Sequence, residues 1–297
     1  MSSERMLELA AFQQDLARAG YIAETPLVAA LLLMQDLGRP LLLEGDAGVG
    51  KTEVAKVLAA VRDTRLIRLQ CYEGLDTHAA MYEWNYQRQL LAIKLLEHDE
   101  RGIEKKEQDI FSERYLLKRP LLEAITCDTA PVLLIDEVDR ADEAFEAYLL
   151  ELLSDFQLSI PELGTVHATS RPWVVITSNG TRELSDALRR RCLYQYIDYP
   201  DHAKELAIVR QKAPAAADAL AQQIVAFVQA VRRMELQKKP GIAETLDWTA
   251  ALLRLGISMI DIDGSEAILQ TLSALIKTRD DRAAFPREVV ARLAAAC

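Results

Sequence analysis

The stretch that decides the fold reads Leu41-Leu42-Leu43-Glu44-Gly45-Asp46-Ala47-Gly48-Val49-Gly50-Lys51-Thr52. An apolar run of strand length ends at Gly45, and the residues from Gly45 to Thr52 match the phosphate-loop pattern G-x-x-x-x-G-K-[ST]. The glycines let the backbone turn tightly, so that successive N–H groups can point at one anion. A helix that starts near Lys51 and continues through Glu53 adds the positive end of its dipole. The stretch therefore predicts a nucleoside triphosphate site formed by residues 45–53.

Two side chains of this loop suit a triphosphate that is bound with magnesium. We expect Lys51 to reach the β- and γ-phosphates and the Thr52 hydroxyl to occupy one magnesium position. A chance glycine-rich turn is the alternative interpretation. An apolar strand before the loop and a helix after it favour nucleotide binding over that alternative.

Composition restricts the class of protein. Half of the 297 residues are apolar, which is enough for a sizeable core, and the formal charge of −10 argues against a general nucleic-acid coat. The four cysteines and four histidines show no metal-binding spacing, and scattered free cysteines are typical of a reducing cytoplasm. The apolar run in residues 26–37 is too short to cross a membrane. We expect a cytoplasmic protein without an integral membrane segment, and peripheral membrane contact stays open.

Apolar runs that alternate with helical patterns predict the architecture. Residues 41–44, 66–71, 132–137 and 173–179 have the continuous apolar character of buried parallel strands, and only helical patterns follow residue 200. We predict an α/β fold: a three-layer αβα core with a parallel sheet in residues 1–200, and a small all-helical domain in residues 201–297. Residues 72–118 are the least regular part, with a helix-like run that starts at Met81 and a charged segment at 97–107. Residues 156–168 predict a hairpin. Its tip at 162–164 has no evident role in holding the sheet, so we expect it to face the pore or a client.

Polar residues follow two of the predicted strands. Asp136 and Glu137 come after the third strand, at the edge where open α/β sheets bind ligands. Asp136 can hold the water shell of magnesium, and Glu137 can orient and activate the attacking water. Asn179 follows the next strand, and its amide can polarise that water. The alternatives are a helix-capping pair for the two carboxylates and a turn-forming asparagine before Gly180.

Three consecutive arginines, residues 189–191, end a short predicted helix. A basic helix C-terminus is favourable in any protein because it interacts with the helix dipole. An arginine that is supplied to the transferring phosphate of a neighbouring subunit is the functional interpretation. We expect Arg191 to have this role, with Arg190 as the second choice because the register is uncertain by one residue.

The order of these parts resembles that of the AAA+ ATPases over nearly the whole chain. The phosphate loop is followed by Val132–Asp136 and Glu137 in the place of Walker B, by residues 177–179 as sensor 1, by the arginine segment, and then by a helical lid. The run from Asp136 to Ala141 looks like the D-E-[IV]-[ND]-R-A run of MoxR-type members. Residues 72–118 and 156–168 resemble the helix-2 insert and the pre-sensor hairpin of that family. Residues 82–89 and 188–199 are also similar to CoxD-like ATPases, which are linked to the maturation of carbon monoxide dehydrogenase.

The resemblance implies a cofactor, an assembly and partners. It implies ATP with Mg²⁺, bound by Thr52 and by Asp136 through water, and a hexameric ring in which an arginine acts across subunits. It also implies a von Willebrand factor A-type partner and a client enzyme, which for CoxD-like members is a molybdenum–copper carbon monoxide dehydrogenase. Two other classes stay open: a nucleic-acid motor or restriction-type translocase, which the acidic charge disfavours, and a nucleotide-gated regulatory ring.

One position departs from the MoxR pattern. Relatives carry an arginine near the start of a lid helix, whereas this chain has residues 241–248 without any arginine. The sensor-2 contact from the lid is therefore in doubt. The nearest basic residues that could replace it are Lys238, Lys239 and Arg254.

Overall fold

The computed structural model describes residues 3–95, 108–260 and 265–297. The chain forms two compact units, each built from more than one segment. The first, here called the sheet unit, consists of Thr25–Glu44 and Ala55–Gln195. The second, here called the helical unit, consists of Met1–Glu24, Gly45–Val54 and Tyr196–Cys297. The domain boundary that the sequence suggests at residue 200 stays a prediction.

The helices and strands are numbered in chain order. The elements in the first part of the described chain are α1 (Ser3–Arg18), α2 (Thr25–Leu37), β1 (Leu41–Glu44), α3 (Lys51–Val61), β2 (Leu66–Gln70), α4 (Thr77–Ala80), β3 (Tyr82–Trp84), α5 (Tyr86–Leu95), β4 (Leu116–Lys118) and α6 (Pro120–Ile125). Those that follow are β5 (Val132–Asp136), α7 (Glu143–Asp155), β6 (Gln157–Ile160), β7 (Gly164–His167), β8 (Trp173–Ser178), α8 (Asp186–Arg191), β9 (Leu193–Tyr196), α9 (His202–Lys212), α10 (Asp218–Arg232), α11 (Ile242–Arg254), α12 (Ser265–Thr271), α13 (Arg279–Ala283) and α14 (Arg287–Ala295). Short 3₁₀ turns lie at Glu113–Tyr115, Val138–Arg140 and Leu272–Ala274.

A five-stranded sheet with the order β2-β5-β8-β1-β9 forms the centre of the sheet unit, within the residues that the structure describes. Strands β2 and β5, β5 and β8, and β8 and β1 pair in parallel. Every residue of β5 is buried, as parallel strands covered on both faces require. Phe145, Leu149 and Leu152 of α7 pack in one cluster with Ile135 and Ile176 of the strands. The predicted parallel sheet with flanking helices is confirmed.

Strand β9 extends the sheet beyond the four strands that the sequence indicates. The N–H of Leu193 donates to the carbonyl of Pro40 at 2.7 Å, just before β1. Residues 194–199 alternate in exposure, with Tyr194 and Tyr196 outside, so this edge strand lacks the continuous apolar run that marks a buried one. A local sequence pattern therefore does not distinguish this edge strand from an extended loop.

The N-terminal end of the helix-like run predicted from Met81 differs in the structure. The helix-like run that we expected from Met81 begins instead as strand β3, which pairs antiparallel with β4. Tyr82 and Trp84 are buried and Glu83 between them is half-buried, which is the alternation of a strand. The helix α5 starts only at Tyr86. The charged segment predicted at 97–107 lies outside the described residues.

The predicted hairpin in residues 156–168 is confirmed. Phe156 ends α7 in the left-handed conformation, with a φ of 50°, and turns the chain into β6. Strands β6 and β7 then pair antiparallel from Gln157 and His167 to Ile160 and Gly164. The expectation that the whole tip lacks a packing role is wrong, because Leu163 is partly buried against the main core of the sheet unit.

The helical unit has its own core, and the all-helical C-terminal region is confirmed within the described residues. Phe227 of α10 lies 4.9 Å from Trp248 of α11, measured between ring centroids. The indole N–H of Trp248 donates to the Thr271 hydroxyl at 2.9 Å, which satisfies its buried polar group.

A buried ion pair joins three helices of this unit. Arg232 of α10 donates two hydrogen bonds of 2.6 Å to the fully buried carboxylate of Glu205 on α9. Gln229 and Thr245 also donate to this carboxylate, each at 2.7 Å. The Nε of Arg232 donates to the carbonyl of Pro240 at 2.7 Å. This network therefore fixes the chain immediately before α11.

Candidate active site

The phosphate loop has the predicted local structure. Strand β1 ends at Glu44, the loop follows, and α3 begins at Lys51. Gly48 and Gly50 have φ values of +81° and +98°, a region that side chains with a Cβ rarely adopt. The glycine positions of the motif are thus required by the backbone that the loop adopts.

Lys51 lies inside the loop. Its ammonium nitrogen donates to the carbonyls of Gly45 and Asp46, each at 2.7 Å, and the residue is buried. The cation is therefore held beside backbone N–H groups at the start of α3, where an anion is most favoured. Thr52 and Glu53 occupy the first turn of α3 and are half-buried.

The N-terminus of α11 contacts the phosphate loop directly. The N–H of Ile242 donates to the carbonyl of Gly48 at 2.9 Å. A Cβ on Gly241 would lie 2.6 Å from the oxygen and 2.8 Å from the Cα of Gly48, so the two backbones touch. The carboxylate of Glu244 accepts the Gly241 N–H at 2.9 Å. Gly241 and Ile242 are therefore in contact with the phosphate loop, and the carboxylate of Glu244 lies next to that contact.

A cavity of about 410 Å³ lies in the helical unit beside the loop. Asp46 and Ala47 line one part of it, and Lys238 and Lys239 line another. Arg254, the third basic residue considered as a substitute for the sensor-2 arginine, ends α11. A helix rises 1.5 Å per residue, so Arg254 lies about 18 Å along the axis from the end that contacts the loop. The two lysines are therefore the better candidates.

Two tyrosines flank the loop. A Cβ on Gly50 would lie 3.9 Å from the ring of Tyr21, which places the connector after α1 against the phosphate loop. Burial, helped by nearby Glu24 and Glu53, raises the pKa of Tyr21. Burial, together with the charge and hydrogen bond of Asp46, raises the pKa of Tyr199 to about 12. Both phenols stay neutral at physiological pH. No local motif marks Tyr199 as a neighbour of the loop.

Asp136 ends β5 as a buried carboxylate. Its Oδ1 accepts a hydrogen bond of 2.6 Å from the Thr177 hydroxyl on β8. Its Oδ2 accepts two hydrogen bonds from Arg68 on β2, at 2.6 Å from Nη2 and 3.1 Å from Nε. The register that pairs Gln70 with Asp136 brings these strands together at this edge. Oxygen donors of this kind match the preference of Mg²⁺.

Glu137 follows in a strained conformation. Its φ and ψ of 56° and 50° are left-handed, and its N–H donates to the Thr177 hydroxyl at 2.9 Å. Its Oε1 accepts from the Asn179 amide at 3.3 Å, and its Oε2 accepts from Gln70 at 3.1 Å. Arg140 forms an ion pair of 2.9 Å with Oε2. The structure thus brings the side chains of Glu137 and Asn179 into contact.

Asp139 is a site residue that the sequence reasoning did not identify. Its Oδ1 accepts the Asn179 N–H at 3.2 Å, and its Oδ2 accepts the N–H and hydroxyl of Thr181 at 3.0 and 2.6 Å. Burial acts to raise the pKa of Asp139, but these hydrogen bonds outweigh it and lower the pKa below its ordinary value. Asp139 therefore holds the loop that carries Asn179. Its position in the acidic run after β5 was the available signal.

The arginine segment lies at the end of α8. Arg39 donates to the carbonyls of Arg190, Arg191 and Cys192, so a cation caps the C-terminus of this helix. Arg191 donates to the Ser154 hydroxyl and is half-buried, whereas Arg190 is exposed. Both arginines are present at the expected place, and Arg190 is the more accessible of the two.

A parallel sheet with a phosphate loop after β1, an acidic pair after β5 and a polar residue after β8 defines a phosphate-loop ATPase of the AAA+ class. The family described as AAA domain (dynein-related subfamily) matches residues 40–192, which is just over half of the chain. The chain belongs to this family and is an AAA+ ATPase. Members of the class generally use ATP with Mg²⁺, and they commonly form hexameric rings.

Similar proteins add little about function. An uncharacterized protein of Staphylococcus haemolyticus (strain JCSC1435) is 26% identical over 83% of this chain and 87% of its own length. One of Staphylococcus aureus (strain bovine RF122 / ET3-1) is 27% identical over the same shares. The Thermotoga maritima RuvB Holliday junction branch migration motor is 20% identical, with a TM-score of 0.45 over 91% of this chain and 71% of its own. The fold assignment therefore rests on the strand order and the family match.

The described residues lack two features, a membrane-spanning helix and a cluster of metal ligands. No helix in the described ranges combines the length and apolar character needed to cross a membrane. The same residues contain no cluster of three or more His, Cys, Asp or Glu side chains with the arrangement of a metal site. A magnesium site made from one carboxylate and one hydroxyl, as AAA+ proteins use, would not form such a cluster.

Proposed function

We propose that this AAA+ ATPase hydrolyses ATP to remodel a client protein, as MoxR-type members do. In this proposal residues 45–53 bind the phosphates, and Thr52 and, through water, Asp136 hold the magnesium. That ion would neutralise charge on the phosphates. Glu137 activates the attacking water, and Asn179 orients it.

The conformation of Glu137 is the observation that carries the hydrolytic part. A non-glycine residue in the left-handed region costs about 1–3 kcal/mol and persists only where its surroundings hold it. Here the Thr177 hydroxyl holds the backbone of Glu137, while Gln70, Arg140 and Asn179 contact its carboxylate. A carboxylate that only capped the following turn would need none of these contacts. The arrangement supports a role in positioning and activating water.

The substitution Glu137→Gln tests this role. The amide keeps the size of the side chain but cannot accept a proton, so we expect ATP binding to be retained and turnover to be lost. Lys51→Ala should instead lose binding, because the phosphates lose their cation. Glu143→Gln, an exposed carboxylate in the first turn of α7, is the matched control and should behave like the parent. Near-normal turnover of Glu137→Gln would contradict the assignment.

Two accessory elements support the remodelling part of the proposal. The segment from β3 to β4 resembles the helix-2 insert of MoxR-type proteins in its place along the chain, and the β6-β7 hairpin resembles their pre-sensor insert. Helix α5 exposes Tyr86, Leu90 and Leu91, a set of apolar side chains that suits contact with a client. We propose a von Willebrand factor A-type partner and, from the CoxD-like resemblance, a molybdenum–copper carbon monoxide dehydrogenase as the client.

We also propose a core in residues 1–200, a lid in residues 201–297, and a hexameric ring in which Arg191 acts on the nucleotide of the neighbouring subunit. Arg190 is the second choice, and its exposure favours it. The lysines at 238 and 239 take the place of the missing sensor-2 arginine.

Rings mixed from Lys51→Ala and Arg191→Ala subunits should recover part of the ATPase activity, because some interfaces then contain every catalytic group. If these mixed rings show only background activity, while rings mixed from Lys51→Ala and Arg190→Ala subunits recover activity, the arginine that acts across subunits is Arg190.

A pull-down with Glu137→Gln tests the client. This variant should hold ATP and keep its partners bound, so proteins retained with ATP but not without nucleotide are client candidates. Stimulation of the parent ATPase by the retained protein would support remodelling. Stimulation by DNA alone would instead favour the nucleic-acid motor.

A further inference from the structure

Arg68 makes an unusual contact with the carboxylate of the proposed magnesium site. Its guanidinium donates to Oδ2 of Asp136 from both Nη2 and Nε, at 2.6 and 3.1 Å. The other oxygen of Asp136 is bound by the Thr177 hydroxyl at 2.6 Å. Arg68 therefore places a positive charge against Oδ2 of this carboxylate.

The same guanidinium also connects to Glu137. Its Nη2 lies 2.5 Å from Oε1 of Gln70, whose amide nitrogen donates to Oε2 of Glu137. Arg140 pairs with that same Oε2. Asp136 and Glu137 thus each contact a guanidinium, and the side chain of Gln70 links the two ion pairs.

The exposures of the two partners are unequal, and this decides what Arg68 can do. The Asp136 side chain is only 3% exposed, so without a positive partner its charge would be costly. The Arg68 side chain is 51% exposed, so it can turn into water at little cost. A hydrated divalent cation whose water shell reached Oδ2 would compete for the lone pairs of this oxygen and would repel the guanidinium there.

We propose that Arg68 is a resident cation at Asp136: its guanidinium stabilises this carboxylate while no metal is bound, and it competes with Mg²⁺ for Oδ2. The proposal rests on the function proposed above, because it takes Asp136 as part of the magnesium site. Arg68 thereby raises the amount of magnesium that is required for tight nucleotide binding. When Arg68 turns away it also releases the side-chain amide oxygen of Gln70, which couples metal binding to the contacts of Glu137.

The test measures binding, with native Glu137 and a fluorescent, non-hydrolysable ATP analogue. The dissociation constant is measured with EDTA and with excess Mg²⁺. The value with EDTA divided by the value with Mg²⁺ reports how much the metal strengthens binding. In Arg68→Met this ratio should rise about tenfold, the size expected when one charge-assisted hydrogen bond no longer competes. Arg65→Met removes a neighbouring arginine that pairs with Glu123 on the surface, and it should leave the ratio unchanged.

An unchanged ratio in Arg68→Met would overturn the proposal, and a lower ratio would show that Arg68 assists the metal. Failure of the parent chain to bind the analogue would refute the proposed function instead. If Arg68→Met folds poorly, Arg68→Gln replaces it in the test. Glutamine keeps a hydrogen-bond donor without the charge, so this variant should also raise the ratio. In the parent chain, the NMR signal of the Arg68 Nε–H should shift with the magnesium–analogue complex but not with analogue and EDTA. A signal that stays in place would also overturn the proposal.

Discussion

Asp139→Asn should weaken both the fold and the catalytic step. The carboxylate accepts three hydrogen bonds, from the Asn179 N–H and from the N–H and hydroxyl of Thr181. An amide has one oxygen, so its NH₂ group must face at least one of these donors, and the remaining bonds lose their charge assistance. Hydrogen bonds to a charged group contribute about 1.5–3 kcal/mol each. We therefore expect a loss of about 2–4 kcal/mol in the free energy of unfolding, measured by urea denaturation.

The effect on activity follows from the same contacts. Without the hydrogen bonds to the Asp139 carboxylate, the segment that carries Asn179 can shift. A displacement of about 1 Å can lower the rate roughly a hundredfold. The kcat for ATP should fall about tenfold to a hundredfold, while affinity for ATP is retained. Asp142→Asn is the control, because Asp142 caps α7 by accepting the Phe145 N–H and asparagine caps helices equally well. Parent-like stability and kcat in Asp139→Asn would refute the reasoning.

Three further predictions concern Gly241, Arg232 and the pH dependence of the Asp139 contacts. Gly241→Ala should weaken ATP binding at least tenfold, measured by analogue titration, because its Cβ would lie 2.6–2.8 Å from backbone atoms of Gly48 that no side-chain rotation can move. Arg232→Met should lower the free energy of unfolding by about 3–5 kcal/mol in urea, because it leaves the buried charge of Glu205 unpaired. The lowered pKa of Asp139 contributes stability that is present above its ordinary pKa near 3.8 and is lost as the pH falls through the folded value. The stability difference between the parent and Asp139→Asn should therefore shrink below about pH 4, and a constant difference would contradict this.

Local patterns predicted the parts of the site that depend on neighbouring residues. The phosphate loop is encoded by consecutive residues, because glycine conformations and a helix start at Lys51 need no distant partner. The strand that ends at Asp136 is likewise a continuous buried run. The positions of Glu137 and Asn179 next to each other followed from the general rule that parallel strands end at one edge.

The rest depends on which strands become neighbours. Arg68 and Gln70 reach the acidic pair only because β2 lies beside β5 in a register that aligns Gln70 with Asp136. The sequence of β2 alone shows two polar residues on the open face of a strand. Strands β3 and β4 are separated by more than thirty residues, so a local sequence pattern cannot predict that they pair.

The contact between the two accessory elements makes Trp84 an optical reporter. Its indole N–H points to the Glu162 carboxylate at the tip of the hairpin, at 3.4 Å, and its ring packs edge-on against Phe111. Indole emission depends on the polarity and charge around the ring, so a hairpin that moves during turnover would change the colour and intensity of this one residue. With the other two tryptophans, Trp173 and Trp248, replaced by phenylalanine, the intrinsic fluorescence of the chain would follow the hairpin in real time without an added dye.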